Sequence, residues 1–277
     1  MIQKHIFVKD IKIGNDLPFT LIAGPDSIES VDHALFMARS ISEITHSLNI
    51  NYIFKASYDK ANRTSVKSFR GVGIKQGKRI LKIIRNTLNI PVTTDIHSPQ
   101  EAQSMGKVVD LIQIPALLSR QTDILIAAGK TNKTVNIKKG QFVAPHDIQN
   151  LIDKVLFTGN KNVLITDRGS TFGYNDIIAD MRGLVIMKKT GFPIMFDASH
   201  TVQFPSSLAH ISGGDRSLIP PLARAATAVG VSGIFMEVHD KPDLAPVDGL
   251  NSLYLKDLRS LLKELIKIDS IVKNNEK

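Results

Sequence analysis

Cationic side chains recur in this chain just beyond short apolar runs, a placement suited to gripping phosphate. The stretch FKASYDKANRTS (54–65) carries Lys55 and Lys60, with Arg63, Thr64 and Ser65 close behind, while Lys138, Lys139 and Arg168 end other runs. Phosphate recognition needs point charges, a guanidinium fork and hydroxyl or backbone donors converging on one anion. Such groups drawn from three separate segments could serve two anions. For a single lysine, pairing with Asp59, Asp95 or Asp167 is as good an account; for the set, ligand binding is the better one.

A second constellation comprises His200, Glu237, Asp248 and Asp26, an imidazole and three carboxylates from distant segments. Such a set can ligate a divalent cation or act as hydrogen-bonded acid and base. No HxH or HExxH pairing sharpens the metal signal, and each residue taken alone also fits an ordinary polar loop. His33, His46 and His210 read as surface or loop histidines, and His97 and His239 as supports of the same site. The glycine-containing stretches at 70–73 and 212–214 lack the strand-to-helix context of a dinucleotide fingerprint and read as turns.

Something must bring these residues together. Apolar runs at 21–24, 52–56, 91–95, 109–114, 134–137, 162–166, 193–197 and 233–237 are each followed by helical apolar spacing. The helical patterns cover about 31–48, 73–88, 99–106, 119–130, 146–158, 175–189, 216–229 and 255–272. This alternation predicts an α/β protein: a (β/α)₈ TIM barrel whose C-terminal strand ends gather the polar residues at one mouth. Residues 1–20 fall outside the rhythm. There Ile6–Val8 and Ile11–Ile13 flank Lys9 and Asp10, which predicts an N-terminal β-hairpin closing the barrel bottom. Segments 57–72, 198–215 and 238–252 are too long for minimal turns, and 204–215 has the composition of a lid.

At 277 residues the chain matches the roughly 250 of one barrel, so a single catalytic domain over 1–277 is expected. Without cysteine there is no thiolate nucleophile, no disulfide and no cysteine metal site. No apolar run is long enough to span a bilayer and no signal segment opens the chain, so a soluble, cytoplasmic protein is expected. The formal charge is +9, from 35 basic and 26 acidic residues. The basic residues are scattered and only 6% of residues are aromatic, which favours anionic small molecules over nucleic acid as partners.

The chain resembles the 3-deoxy-D-manno-octulosonate 8-phosphate synthases, also called 2-dehydro-3-deoxyphosphooctonate aldolases. The resemblance is carried by IAGPDSIES (22–30), FKASYDKANRTS (54–65), TDIH (94–97), NIKKGQF (136–142), DRGSTFGYND (167–176), FDASHTVQ (196–203) and VDG (247–249), in family order along nearly the whole chain. It implies condensation of phosphoenolpyruvate with arabinose 5-phosphate for lipopolysaccharide biosynthesis, by a barrel usually assembled as a homotetramer. On that resemblance Lys138 and Arg168 would clamp the phosphoenolpyruvate phosphate, with Lys55, Lys60 and Gln113 around its other groups. Asn62, Arg63, Thr64 and Ser65 would hold the sugar and its phosphate, and Asp95 its hydroxyls. Lys60, Asp95, His200 and Asp248 would carry the catalysis.

The chain departs from the family at residue 26, where metal-dependent members carry cysteine and metal-independent members asparagine. Here the residue is Asp26. An ionised Asp26 beside Glu237 and Asp248 would place three carboxylates around His200, a repulsion that a divalent ion relieves. Three oxygens and an imidazole suit Mn²⁺ or Fe²⁺, so Asp26, His200, Glu237 and Asp248 form the expected metal set, with metal-independent operation as the alternative. A related aldolase using erythrose 4-phosphate typically shows KPR[ST] where this chain has KANRTS. The other competing readings are a barrel that has lost catalysis through Asp26 and, more weakly, a nucleic-acid-binding surface.

Overall fold

The computed structural model describes residues 3–63, 65–208 and 211–275. Among these, eight parallel strands close into a barrel: β1 (Thr20–Gly24), β2 (Asn51–Lys55), β3 (Val92–Asp95), β4 (Leu111–Ile114), β5 (Thr134–Lys139), β6 (Val163–Asp167), β7 (Ile194–Asp197) and β8 (Gly233–His239). Each pairs with the next, and β8 pairs back to β1 from Gly233 opposite Thr20 to Glu237 opposite Gly24. The strands read as continuous apolar runs because both faces are covered, the inner by the barrel and the outer by helices.

The covering helices are α1 (Val31–Ser47), α2 (Gly73–Leu88), α3 (Pro99–Gly106), α4 (Thr122–Gly129), α5 (Ile148–Leu156), α6 (Met181–Lys188), α7 (Ile219–Ala228) and α8 (Leu255–Asn275). In α2 the buried residues Gly77, Ile80, Leu81 and Ile84 recur at three- and four-residue spacing, one stripe facing the sheet. Ser30 caps α1 by accepting the His33 N–H at 3.1 Å.

Inside the barrel, Ile22, Ile53, Leu111, Leu164, Met195 and Phe235 form a second apolar cluster. The N-terminal hairpin pairs Ile6–Val8 with Ile11–Ile13, antiparallel, and buries Ile6, Val8 and Ile13 on that cluster. Its anchors lie at the N-terminal strand ends: Thr134 Oγ1 donates to the Phe7 carbonyl at 2.6 Å and Lys9 Nζ to the Asn89 carbonyl at 3.1 Å. The hairpin therefore plugs the end opposite the polar strand termini, as the sequence led us to expect.

Two expectations need correction. The helical pattern at 175–189 begins as a helix only at Met181, because Asp180 caps it by accepting the Arg182 N–H at 3.1 Å. Ile177–Ile178, apolar and thus in phase with the helix, pair instead with Ser170–Thr171 in a short hairpin. The segment 204–215, read as a loop-like lid, is largely an antiparallel pair, Gln203–Leu208 with Ile211–Gly214; residues 209 and 210 lie outside the described residues.

Candidate active site

The C-terminal strand ends open into a cavity of about 470 Å³. Lys55, Lys60, Arg63, Lys138 and Arg168 line it together with Asn62, Asp95, Gln113, His200 and Asp248. Gln113 and Lys138 lie within β4 and β5, and Lys55 and Asp95 end β2 and β3. Lys60, Asn62 and Arg63 come from the long loop after β2, which is pinned at its base. There Lys60 N donates to the Arg70 carbonyl at 2.7 Å, and Arg70 grips Asp59 through two nitrogens at 2.6 Å each.

Four ion pairs organise the floor. Lys55 Nζ lies 2.8 Å from Glu237 Oε1 and 3.6 Å from Asp26 Oδ1. Lys60 Nζ donates to Asp26 Oδ1, and Lys138 Nζ to Asp197 Oδ2. Burial would neutralise Asp26, but the charges of Lys60 and Lys55 outweigh it and hold the carboxyl below its ordinary range. Glu237 and Asp248 go the other way: burial, and for both the nearby Asp26 charge, raises them. Burial pulls the Lys138 ammonium down to about 8 against the opposing charge of Asp197.

His200 is held in one orientation. Asp197, last in β7, accepts its backbone N–H and its Nδ1–H, both at 2.8 Å. Burial lowers the imidazole pKa despite the Asp197 charge, so the neutral ring presents its Nε2 lone pair to the cavity. That nitrogen faces Asp26 Oδ1 at 3.8 Å and Asp248 Oδ2 at 3.9 Å. Asp248 sits at φ +49, a left-handed conformation that a non-glycine residue rarely adopts. Gln203 holds it there, donating from Nε2 to Asp248 Oδ2 at 3.0 Å and accepting from Arg168 Nη2 at 3.1 Å. Across the cavity, Asp95 accepts from Ser57 Oγ at 2.5 Å and pairs with His97 Nε2 at 3.0 Å. Burial works against the charge on His97, yet the Asp95 hydrogen bond and charge raise its pKa.

The DAHP synthetase I family model matches residues 2–274. A protein of Rickettsia bellii (strain OSU 85-389) is 52% identical over 271 residues, 98% of this chain and 99% of its own. One from Geobacter sulfurreducens is 50% identical, and one from Geotalea uraniireducens 51%, each over 270 residues with the same shares. All three are named 2-dehydro-3-deoxyphosphooctonate aldolase. The chain belongs to the DAHP synthetase I family.

As a member of this family the chain brings most of the expected residues into one cavity, with five exceptions, the first being Asp26, which is bonded to Lys60 but is not part of the cavity lining. Thr64 lies outside the described residues. Ser65 is outside the cavity lining and accepts from Lys67 N at 3.3 Å in a local turn. Lys139, grouped with Lys138 by sequence, faces the other way. It is buried beside Asp167 at 3.3 Å and donates to the Gly140, Val143 and Gly169 carbonyls. Glu237 is bonded to Lys55 and falls outside the set of mutually close ligand atoms, which is Asp26, His200 and Asp248, all within 4.8 Å.

Two residues of consequence went unassigned from the sequence, Asp197 and Gln203. An acidic residue ending β7 three positions before His200 was the available signal for the first. The donor chemistry also bears on a metal. Asp26 Oδ2 and Glu237 Oε2 are buried without hydrogen-bond partners, and Asp197 fixes the His200 tautomer with Nε2 free. This donor set fits a divalent cation. The carboxylate repulsion expected at Asp26 is already offset by Lys55 and Lys60, which sequence spacing did not place there.

Proposed function

We propose that this chain condenses phosphoenolpyruvate with D-arabinose 5-phosphate, giving 3-deoxy-D-manno-octulosonate 8-phosphate and inorganic phosphate. The observation carrying this reading is the meeting of Lys55, Lys60, Arg63, Lys138 and Arg168 with His200 and Asp248 in one cavity. Relatives at about half identity bear the corresponding name over nearly full length.

In this reading Lys138 and Arg168 hold the phosphoenolpyruvate phosphate, and Lys55, Lys60 and Gln113 its carboxylate and reacting carbons. Asn62, Arg63 and the loop to Ser65 receive the sugar and its phosphate, with Asp95 on the sugar hydroxyls. Holding both substrates in attack geometry replaces a bimolecular encounter, worth about 7–11 kcal/mol in well-oriented cases. Carbon 3 of phosphoenolpyruvate bonds to the aldehyde carbon, whose oxygen takes a proton and becomes a hydroxyl. Water adds at carbon 2, losing a proton to the His200–Asp248 side of the cavity. The C–O bond to phosphate then breaks as the new carbon 2 hydroxyl becomes the ketone, its proton passing to the departing phosphate, and inorganic phosphate leaves against Lys138 and Arg168. Carboxylates near the developing cation at carbon 2 and ammonium groups near the leaving phosphate match that flow of charge.

Asp26, His200 and Asp248, with Glu237 adjoining, are the residues that would hold a divalent ion, for which Mn²⁺ or Fe²⁺ suits the oxygen-rich set. Bound there, it would supply Lewis acidity and orient water. Chelator treatment followed by assay separates this from metal-independent operation. The same reading carries a single barrel domain, a cytoplasmic setting and a homotetramer. Exposed aromatics on the mouth side, Phe142, Phe172 and Tyr174, are candidates for subunit contacts, and sedimentation of the purified protein checks the assembly. No helix among the described residues is long and apolar enough to cross a membrane.

The deciding assay supplies phosphoenolpyruvate with either arabinose 5-phosphate or erythrose 4-phosphate and follows phosphate release. Turnover with the pentose phosphate is expected. Turnover confined to erythrose 4-phosphate, or with neither sugar, overturns the proposal.

A further inference from the structure

A second cluster of metal-ligating side chains lies behind the first and last strand ends. Glu29 precedes the Ser30 cap of α1, His33 sits in the first turn of that helix, His239 ends β8 and Asp240 follows it. Among the described residues, none of these four lines the substrate cavity. The two imidazoles stand 4.7 Å apart, centre to centre.

We propose that Glu29, His33 and His239 form a second site for a divalent transition metal, with Asp240 orienting both imidazoles. One carboxylate oxygen serves both rings: Asp240 Oδ1 lies 3.0 Å from His33 Nε2 and 3.2 Å from His239 Nδ1. His33 Nε2 donates to Asp240, and with His239 Nδ1 turned to the same carboxylate in place of the Lys241 N–H, the other two nitrogens face a single oxygen. His239 Nε2 is 2.7 Å and His33 Nδ1 3.9 Å from Glu29 Oε1, and the three ligand atoms lie within 4.8 Å of one another. A carboxylate behind each ligating imidazole is the arrangement that fixes ring orientation and tautomer in metal sites.

The independent sign of a missing cation is at His33. Its Nδ1 is buried and has no hydrogen-bond partner. In the neutral ring, with Nε2 donating to Asp240, Nδ1 carries a lone pair 3.9 Å from Glu29 Oε1, the oxygen that His239 Nε2 meets at 2.7 Å. A positive ion taking the place of the His239 Nε2 proton would satisfy the orphaned His33 nitrogen and the carboxylate together. The two distances to Glu29 straddle the edge of about 3.3 Å expected between ligands of a tetrahedral ion with bonds of about 2.0–2.1 Å. Glu29, 30% exposed, can shift to equalise them. One contact competes: the Lys241 N–H lies 2.9 Å from His239 Nδ1, and loading the site exchanges that bond for the one to Asp240.

Two neutral imidazoles and one carboxylate select borderline ions such as Zn²⁺ or Co²⁺ over Mg²⁺ or Ca²⁺. A bound ion would cross-link the first and last βα units, since its ligands come from the β1–α1 connection, α1 and β8.

The test uses the full-length protein stripped with a chelator and titrated with Zn²⁺ by calorimetry. His200→Ala removes the imidazole of the substrate cavity and isolates the second site. That variant is expected to retain one Zn²⁺ per chain, with affinity falling at least tenfold when His33→Gln or Glu29→Gln is added. Co²⁺ should give visible absorption bands in the His200→Ala protein that vanish in the double variants. Circular dichroism reports folding, and the Glu29→Gln replacement, at a less buried position, serves if His33→Gln unfolds. Absence of Zn²⁺ binding in His200→Ala, or binding unchanged by both second-site replacements, overturns the proposal and leaves the four residues as a hydrogen-bonded clasp.

Discussion

The side chain on which most of the cavity turns is Asp197, which binds the two groups on either side of it. It accepts from His200 Nδ1 at 2.8 Å and pairs with Lys138. Asp197→Asn removes the charge that keeps His200 in its Nδ1–H form and leaves Lys138 with no carboxylate beside it. We expect kcat to fall about a hundredfold or more, the scale of lost acid–base positioning, together with a raised KM for phosphoenolpyruvate. Steady-state kinetics on the folded variant check this, and a KM change alone would show that only the lysine matters. Lys138 carries a second expectation. Its pKa is drawn down to about 8, so its cation is present below that pH and lost above it. Capture of an anionic substrate should weaken as pH climbs through about 8, giving kcat/KM for phosphoenolpyruvate an alkaline fall. Lys138→Arg keeps its charge far above this range and should push the fall to higher pH even if the rate drops. An unmoved limb would assign the titration to another group.

Strand β5 illustrates how an element divides neighbouring residues between different tasks. Successive side chains of a strand point to opposite faces, so adjacent lysines cannot share a site. Lys138 enters the cavity, while Lys139 is buried beside Asp167, a partner whose own pKa burial raises and Lys139 opposes. Lys139→Ala leaves Asp167 without its ammonium partner and removes one donor from each of three carbonyls in the barrel wall. Breaking a buried pair of this kind costs about 3–5 kcal/mol, and denaturant titration should show a midpoint loss of that size. A loss below about 1 kcal/mol would mean that water replaces the ammonium. At the end of β1 the backbone itself is the constraint. A Cβ on Gly24 would stand 2.0 Å from the Lys55 carbonyl, so only glycine lets β1 deliver Asp26 beside Lys55.

Across the whole molecule the barrel separates stability from chemistry, with an apolar plug at one end and charged groups at the other. Ile6, Val8 and Ile13 of the hairpin complete the inner cluster on which Phe235 lies. Phe235 then meets the charged layer above, with its ring 3.1 Å beneath Lys138 Nζ. Ile13→Ala should cost about 2–5 kcal/mol, as large-to-small changes in packed cores do. Activity per folded molecule should stay near that of the parent, because the plug closes the end of the barrel opposite the cavity. Thermal unfolding and active-site-normalised rates test the two halves separately; a large rate loss at unchanged stability would contradict this division.

What the sequence by itself determined is what depends on local pattern. Apolar runs of strand length alternating with 3.6-residue periodicity specify eight βα units, and their order specifies which residues reach the mouth. The strands lie within two residues of the runs read from the sequence, and the motif residues Lys55, Lys60, Asn62, Arg63, Gln113, Lys138, Arg168, His200 and Asp248 all reach the cavity. Only the tertiary structure decided the pairings, because these join residues from different strands whose approach no spacing encodes. It put Asp197 between His200 and Lys138, set Lys55 and Lys60 against Glu237 and Asp26, and turned Lys139 outward. It also set His33 against His239 across 206 positions of chain, where the sequence read a surface histidine and a supporting one. Charges in a low-dielectric interior are governed by distances of a few ångströms, and those distances exist only once the barrel has closed.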